Sequence, residues 1–144
     1  MELKVKKLHK NAKIPKYIYK GDVGFDLSSA HDYNIKPDRM EMVKTGLAFK
    51  LPSYYEMTVR QRSGLSRMFP NYIAIGIGTI DRGYIGEIMI PVINNRKDNK
   101  SFVIKVGDRI AQGVISSILI PNIIEVDELM PTERGSQGFG STGL

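Results

Sequence analysis

Apolar and polar residues alternate along much of the chain, and this two-residue period is typical of half-buried β-strands. The alternation is clearest in residues 55–62, where polar residues separate Tyr55, Met57 and Val59. One face of such a strand can enter a hydrophobic core while the opposite face carries its arginines to a polar surface. Further extended segments are predicted at residues 40–51, 87–93, 102–106 and 110–120.

The segment at residues 87–93 differs from the others because it is apolar on both faces, which predicts a strand buried between two layers. Pro91 inside it indicates a sheet edge or a bulge, since proline has no N–H to donate to a neighbouring strand. The one helix that the pattern predicts is short, at about residues 64–69, and Pro70 limits it. Many short strands separated by Gly, Pro and Asp predict a compact all-β sandwich or barrel.

Composition narrows the chemistry that is open to this chain. Its 144 residues have the size of one ordinary domain, with no internal repeat or linker to mark a second. The absence of cysteine excludes disulfides and cysteine zinc sites, and two histidines make a histidine-rich metal site implausible. A bound metal is therefore expected to be a hard ion such as Mg²⁺, held by oxygen ligands. No stretch approaches the roughly 18 apolar residues that cross a bilayer, and no signal peptide is recognisable, so a soluble cytoplasmic protein without membrane contact is expected.

The net charge of +6 arises at the start of the chain. Residues 1–20 hold seven lysines and a single acidic residue, Glu2, whereas acidic and basic residues balance in the remainder. A lysine-rich first segment is more typical of a solvated sheet edge than of a nucleic-acid groove, which would also need arginine and aromatic side chains. Nucleic-acid binding is therefore disfavoured.

Arg62, Ser63 and Gly64 open the predicted helix, and this tripeptide could bind a phosphate. Free backbone N–H groups and a hydroxyl at a helix start can receive phosphate oxygens, and the arginine adds a forked donor. A surface turn with a helix cap would contain the same residues, and for the tripeptide alone that interpretation is the stronger one.

Residues 76–88 predict a β-hairpin, because two apolar segments flank Asp81-Arg82-Gly83 and the glycines would let the backbone approach a flat ligand. Asp81 would then lie at the mouth of a slot, where a carboxylate can orient or deprotonate water. An ordinary hairpin with Asp and Gly in its turn explains the same pattern. Tyr84 likewise could be a cross-strand packing residue.

Two further segments carry polar residues that need partners. Gln112 could donate its amide to a phosphate, whereas Asp108 and Arg109 predict a structural ion pair. Asp26 lies between two large apolar residues and points to the opposite face, where it needs an arginine or a metal-bound water as a partner.

The end of the chain, residues 131–144, is rich in glycine and poor in groups that could anchor it in a core. A frayed terminus is the usual interpretation of such a composition. The functional alternative is a mobile flap that carries one arginine and one aromatic residue.

Together and in this order, five segments of the chain resemble the motifs of the trimeric dUTPase family. They are GFDLSSA (24–30), RSGLS (62–66), GTIDRGYIGE (78–87), GDRIAQ (107–112) and RGSQGFGSTG (134–143). Each motif alone is weak or moderate, but five in the family's order over nearly the whole chain make chance a poor explanation.

The resemblance implies an all-β, jelly-roll-like barrel or sandwich, in which residues 1–130 form the β-barrel domain and residues 131–144 its flexible lid. It implies a homotrimer with three active sites at subunit interfaces. Each site would combine the third motif of one subunit with the first, second and fourth of a neighbour, under the tail of the third subunit. The implied reaction is Mg²⁺-dependent hydrolysis of dUTP to dUMP and pyrophosphate by water attack on the α-phosphate, which keeps uracil out of DNA and supplies dUMP for thymidylate synthesis.

The resemblance also implies a role for individual residues. Asp81 would hold the attacking water, Tyr84 would pack under the deoxyribose and exclude a ribose 2′-hydroxyl, and Asp26 would contribute to the metal at most through water. The uracil would be read by the backbone of a slot that includes Gly78, Thr79, Ile80 and Met89. The triphosphate would be bound by Arg62, Ser63, Gly64 and Gln112. The lid would supply Arg134 to the phosphates, Phe139 to stack on the uracil, and Gly140, Ser141 and Thr142 near the phosphate chain.

Three positions depart from the family's frequent pattern. Gln61 stands where proline is common, Ile75 where several bacterial relatives have asparagine, and Ile85 where an arginine is frequent. We expect Ile85 to alter a structural or intersubunit ion pair. One alternative on the same scaffold is a dCTP deaminase, which the hairpin with Asp81 and Tyr84 and the full terminal lid motif disfavour. The other is a non-catalytic nucleotide-binding protein, which the presence of both Asp81 and Phe139 disfavours.

Overall fold

The computed structural model describes residues 2–69 and 73–138. Within these ranges the chain forms strands joined by turns and loops, with one short helix, so the all-β prediction is confirmed. The elements are β1 (Lys4–Lys7), β2 (Gly24–Ser28), β3 (Tyr33–Ile35), β4 (Arg39–Lys44), β5 (Leu47–Lys50), β6 (Tyr55–Gln61), α1 (Ser63–Met68), β7 (Ile73–Ile75), β8 (Gly78–Ile80), β9 (Met89–Asn94), β10 (Phe102–Ile104) and β11 (Arg109–Ser117).

Hydrogen bonds group these strands into four antiparallel sheets, with the orders β2-β11-β6-β8, β4-β9-β7, β1-β5 and β10-β3. In the described ranges the sheets do not join into one closed barrel. They contribute instead to a shared core of buried apolar side chains, which includes Leu27, Phe49, Met57, Ile90 and Ile104. Removing such side chains from water is the main force that holds the sheets together.

Strand β11 is the longest, at nine residues, and lies between β2 and β6. Its register pairs Gln112 with Asp26 on one side and with Arg60 on the other. Because β6 ends at Gln61, Arg62 follows at the same end of this sheet. The central position of β11 therefore brings the first, second and fourth motif segments together.

Gly113 occupies a point of this sheet that tolerates little added volume. A Cβ there would lie 2.6 Å from Cε2 of Phe25 and 3.1 Å from Sδ of Met57, and both side chains are buried. We expect Gly113→Ala to lower the free energy of unfolding by about 1–3 kcal/mol, measured by denaturant unfolding. Gly138→Ala is the control, because an added Cβ there meets nothing within 4 Å. Equal stability of the two variants would contradict the packing argument.

Strand β9 is buried on one face only, so the prediction of burial on both faces is wrong. Ile90 and Val92 are fully buried, whereas Met89 on the opposite face is 39% exposed. The segment is rich in apolar residues because its second face is only partly covered within this chain.

Pro91 was expected at a sheet edge or a bulge, but β9 is the central strand of its sheet, and its pairings with β4 and β7 run without a register shift. The proline is tolerated because β7 ends at Ile75. Beyond that end the N–H of Gly76 still donates to the Pro91 carbonyl at 2.9 Å, and the N–H that proline lacks would have faced Gly76.

Two other expectations are met with small changes. The extended segment at residues 40–51 is divided into β4 and β5 at Gly46, whose φ of 67° is left-handed. The lysine-rich start forms β1, an outer strand whose three lysines are exposed, as expected of a solvated sheet edge. In the described ranges, no helix has the length and apolar character needed to cross a membrane.

Candidate active site

A cavity of 510 Å³ opens at the end of the sheet where β2, β6 and β11 meet. We call it the arginine cavity, and its polar lining residues are Asp22, Asp26, Arg62, Ser63, Arg109 and Gln112. It therefore brings together four of the residues predicted from the sequence: Asp26, Arg62, Ser63 and Gln112. Gly64 is the first residue after Ser63 in α1 but does not line this cavity.

Asp26 is held between two arginines. Arg62 Nε donates to its Oδ1 at 2.6 Å, and Arg109 Nη1 donates to its Oδ2 at 3.2 Å. A second Arg62 donor, Nη1, bonds the backbone carbonyl of Arg109 at 3.2 Å. Of the two partners expected for Asp26, an arginine or a metal-bound water, the structure shows arginine, and these bonds fix the guanidinium of Arg62 at the cavity wall.

Arg109 and Asp22 line this cavity but were not predicted as site residues. Arg109 was expected to pair with Asp108, but its guanidinium bonds Asp26 instead, and that expectation is wrong. The Asp108 carboxylate accepts the backbone N–H of Lys105 at 2.8 Å and so closes the turn before β11. The Val106 N–H bonds Asp32 across this turn and, with the Lys105 ammonium, holds the pKa of the Asp32 carboxyl below its usual range.

The position of the Gln112 side chain in the cavity depends on the absence of a side chain at Gly24. Its Nε2 donates to the Gln61 carbonyl at 3.0 Å. A Cβ on Gly24 would lie 2.6 Å from Gln112 Oε1, so a side chain at position 24 would displace the amide. The glycine that begins the first motif is thus explained by packing against the fourth.

The departures from the family pattern have local consequences. Gln61 joins α1 to β7, since its Nε2 donates to Ser66 Oγ at 2.9 Å and its Oε1 accepts the Ile75 N–H at 3.1 Å. A proline at position 61 could make neither bond. Ile75 is buried at 7% exposure, and Ile85 is 67% exposed.

A second cavity, of 260 Å³, contains the other predicted group of residues. We call it the Asp81 cavity; it is lined by Met42, Thr79, Ile80, Asp81, Tyr84, Glu87 and Met89. Gly78 begins β8 just before it and pairs with Val59 of β6. Five predicted residues thus lie around one space, and Met42 and Glu87 were not predicted.

The predicted hairpin is wrong in its pairing, although its turn is present. The N–H of Tyr84 donates to the Asp81 carbonyl at 3.0 Å, which closes the turn. The two arms diverge, because β8 belongs to the sheet of β6 while Met89 begins β9 in another sheet. Tyr84 packs within its own loop, where its hydroxyl donates to the Glu87 carbonyl at 2.9 Å.

The two cavities have no lining residue in common and lie at opposite ends of β6. In the antiparallel register Met57 pairs with Ile80, so Asp81 follows at the level of Glu56, while Arg62 follows the other end of the strand. Six residues of extended chain separate these levels by about 20 Å. One chain therefore does not bring Asp81 to Arg62.

The carboxylates of the arginine cavity do not by themselves form a metal site. Both oxygens of Asp26 accept guanidinium hydrogen bonds, and Asp22 Oδ2 accepts the N–H groups of Ile18 and Tyr19. Among the described residues no group of three or more His, Cys, Asp or Glu could hold an ion. The donor set fits a hard ion only if a bound ligand supplies most of the oxygens.

After β11, all described residues from 119 to 138 are exposed. Arg134 forms a local turn in which its Nε donates to the Gln137 carbonyl at 3.0 Å. The remaining predicted lid residues, Phe139, Gly140, Ser141 and Thr142, lie outside the described residues. Between β11 and this turn, seven large apolar side chains are at least half exposed: Leu119, Ile120, Ile123, Ile124, Val126, Leu129 and Met130.

Comparison with known proteins gives concordant matches. A family model described as dUTPase matches residues 10–143. The deoxyuridine 5′-triphosphate nucleotidohydrolase of Nautilia profundicola is 48% identical over 143 residues and covers 99% of both chains. That of Helicobacter pylori strain P12 is 44% identical over 144 residues, with 100% of this chain and 98% of the relative covered.

Solved structures that match this chain are also described as dUTPases. The dUTPase of Staphylococcus bacteriophage 80alpha with dUPNHPP superposes with a TM-score of 0.93 at 33% identity, covering 99% of each chain. A mutant dUTPase from phage phi11 of S. aureus, described with a structural Mg(II) ion, gives a TM-score of 0.84 at 28% identity, covering 89% of this chain and 98% of the other.

Proposed function

This chain belongs to the dUTPase family, and on that premise we propose that it hydrolyses dUTP to dUMP and pyrophosphate with Mg²⁺ as its cofactor. The observation that carries the proposal is the composition of the two cavities. The Asp81 cavity is lined by a carboxylate and a tyrosine, Asp81 and Tyr84. The arginine cavity is lined by side chains that can donate hydrogen bonds to phosphate, namely Arg62, Ser63 and Gln112.

In the proposed reaction Arg62, Ser63 and Gln112 bind the phosphate oxygens. The guanidinium of Arg62 then gives up part of its hydrogen bonding to Asp26 and donates to the substrate phosphates instead. Asp81 orients a water molecule whose oxygen attacks the α-phosphorus, and its carboxylate can accept the water proton as the bond to the bridging oxygen breaks and pyrophosphate leaves. Positioning and charge neutralisation are what phosphoryl-transfer chemistry mainly requires.

Mg²⁺, when bound, would neutralise charge on the triphosphate. The donor set favours a metal held mainly by substrate oxygens and waters, since Asp26 is already bonded to Arg62 and Arg109. Asp26 would reach the ion through water, without giving up both guanidinium partners.

The proposed active assembly is a homotrimer in which Asp81 of one subunit faces the arginine cavity of a neighbour. The separation of about 20 Å along β6 supports this arrangement, because chemistry at a single phosphate needs Asp81 and Arg62 close together. The exposed apolar side chains of residues 119–130 support it as well, since seven large apolar side chains this exposed within twelve residues are typical of a segment that a partner covers. The glycine-rich end, residues 131–144, would close over the shared site as a lid of the same domain.

The test is pyrophosphate release with Mg²⁺ from dUTP, dTTP, dCTP and UTP, repeated with excess chelator. Strong selectivity for dUTP that the chelator abolishes is the expected result. Ammonia release from dCTP would establish a deaminase instead. Binding of dUTP without release would establish a nucleotide-binding protein, and equal release from all four would exclude the proposed uracil and sugar selectivity.

A further inference from the structure

The ring of Tyr84 lies folded back onto its own loop, directly over Gly86. A Cβ built on Gly86 would stand 2.6 Å from the Tyr84 hydroxyl oxygen, 2.7 Å from Cζ and 3.0 Å from Cε2. The ring can adopt this position only because residue 86 has no side chain. The hydroxyl then donates to the Glu87 carbonyl, and Tyr84 stays 42% exposed and lines the Asp81 cavity.

The carbonyl that holds Tyr84 is itself anchored to the turn between β4 and β5. The Glu87 carboxylate accepts the Gly46 N–H at 2.8 Å. The next residue, Ile88, accepts both the N–H and the hydroxyl of Thr45, at 3.2 and 2.7 Å, and donates to the Leu47 carbonyl at 2.8 Å. We call these four bonds the loop anchor.

The anchor is rigid for two reasons. Thr45 is fully buried, so its bonds to Ile88 are shielded from water. Gly46 is left-handed, with a φ of 67°, and a Cβ there would lie 2.8 Å from His9 Cβ and 2.9 Å from Ala12 Cβ. The turn that receives Glu87 is therefore fixed in place by the packing of the first segment of the chain.

We propose that Gly86 is a specificity-determining residue, and Glu87 a positioning residue, for the choice of deoxyribose over ribose. This proposal rests on the proposed hydrolysis of dUTP and on Tyr84 as the floor of the sugar site. Gly86 lets the Tyr84 ring lie against its own loop, and the loop anchor holds it in that position. A ring fixed there leaves room for a hydrogen on C2′ of the sugar and none for a hydroxyl, whereas a ring that can tilt admits both.

Gly86→Ala tests the first part. The added methyl forces the ring out of its folded position, and rotation of the tyrosine relieves the clash without moving the backbone, so the fold survives. The ratio of kcat/KM for dUTP to kcat/KM for UTP is expected to fall at least about tenfold. Gly83→Ala is the matched control in the same loop, because a Cβ there meets nothing within 4 Å, and its ratio should equal that of the wild type.

Glu87→Ala and Glu87→Gln test the second part, and they decide the proposal if Gly86→Ala does not fold. Glutamine keeps an oxygen that can accept the Gly46 N–H, so the selectivity ratio should be retained in Glu87→Gln and reduced in Glu87→Ala. A purely structural role would lower thermal stability and leave the ratio unchanged.

The outcomes separate this proposal from the function on which it rests. A wild type that prefers dUTP, together with unchanged ratios in Gly86→Ala and Glu87→Ala, overturns the inference alone. A wild type that releases no pyrophosphate from dUTP overturns the function first, and the inference with it.

Discussion

Asp81→Asn is expected to lower kcat for dUTP by about 10²–10⁴-fold, the usual contribution of a positioned acid or base. Asparagine has nearly the same shape, so the loop between β8 and β9 should keep its conformation. It has neither the negative charge that orients a water for attack nor a basic site for its proton. Binding of the nucleotide should change little, because the side chains proposed to bind its phosphates line the arginine cavity and not the Asp81 cavity.

The two quantities can be measured separately. Steady-state pyrophosphate release gives kcat, and calorimetry with a non-hydrolysable dUTP analogue gives the dissociation constant. Asp38→Asn is the matched control: Asp38 makes a surface ion pair with Lys97, and its positive φ of 54° suits asparagine. An unchanged kcat in Asp81→Asn, or loss of activity in both variants, would contradict the proposed role.

Mixing two inactive variants, Arg62→Ala and Asp81→Asn, is expected to restore about one quarter of wild-type activity. In a shared site, Asp81 comes from one subunit and Arg62 from its neighbour. Each residue is intact in half of the subunits of a random equal mixture, so both are intact in about one quarter of the sites. If each chain formed its own site, every site would lack one of the two residues and no activity would return.

The mixture can be prepared by co-expression or by joint refolding, and assembled trimers isolated by size before the assay. Arg62→Ala mixed with Gln112→Ala is the matched control. Both residues line the same cavity of one chain, so this mixture should show no gain over its unmixed components. Recovery in the control as well would point to stabilisation by mixing and not to a shared site.

The strands were predictable where the information was local. The alternation around Met57 identifies β6, and Pro70 limits the short helix, which was predicted at about residues 64–69 and is found at Ser63–Met68. Which strands pair is not local information. The two arms around Asp81 have the pattern of a hairpin, yet they enter different sheets, because β8 pairs with β6 and β9 with β4 and β7.

The site was predictable as a set of residues and less so as a geometry. The resemblance identified Arg62, Gln112, Asp81 and Tyr84, and the structure places them around two cavities. The ion pair of Arg109 with Asp26 could not be predicted from the sequence. The two residues are 83 positions apart and are brought together only by the register of β11 against β2. Asp108 is the neighbour of Arg109 in the sequence and was therefore the expected partner, but its carboxylate accepts the Lys105 N–H in the turn before β11.

The balance of charges in the arginine cavity has a consequence for product release in the proposed reaction. Two acidic side chains, Asp22 and Asp26, and two basic side chains, Arg62 and Arg109, line the space, so their formal charges cancel. In the proposed reaction a polyphosphate would enter this space by displacing the Asp26 carboxylate from guanidiniums that are already bonded to it. After the proposed hydrolysis, Asp26 would bond the guanidinium of Arg62 again and compete with pyrophosphate for it. A cavity lined by unpaired arginines would hold that product more tightly, and turnover would then be limited by its escape.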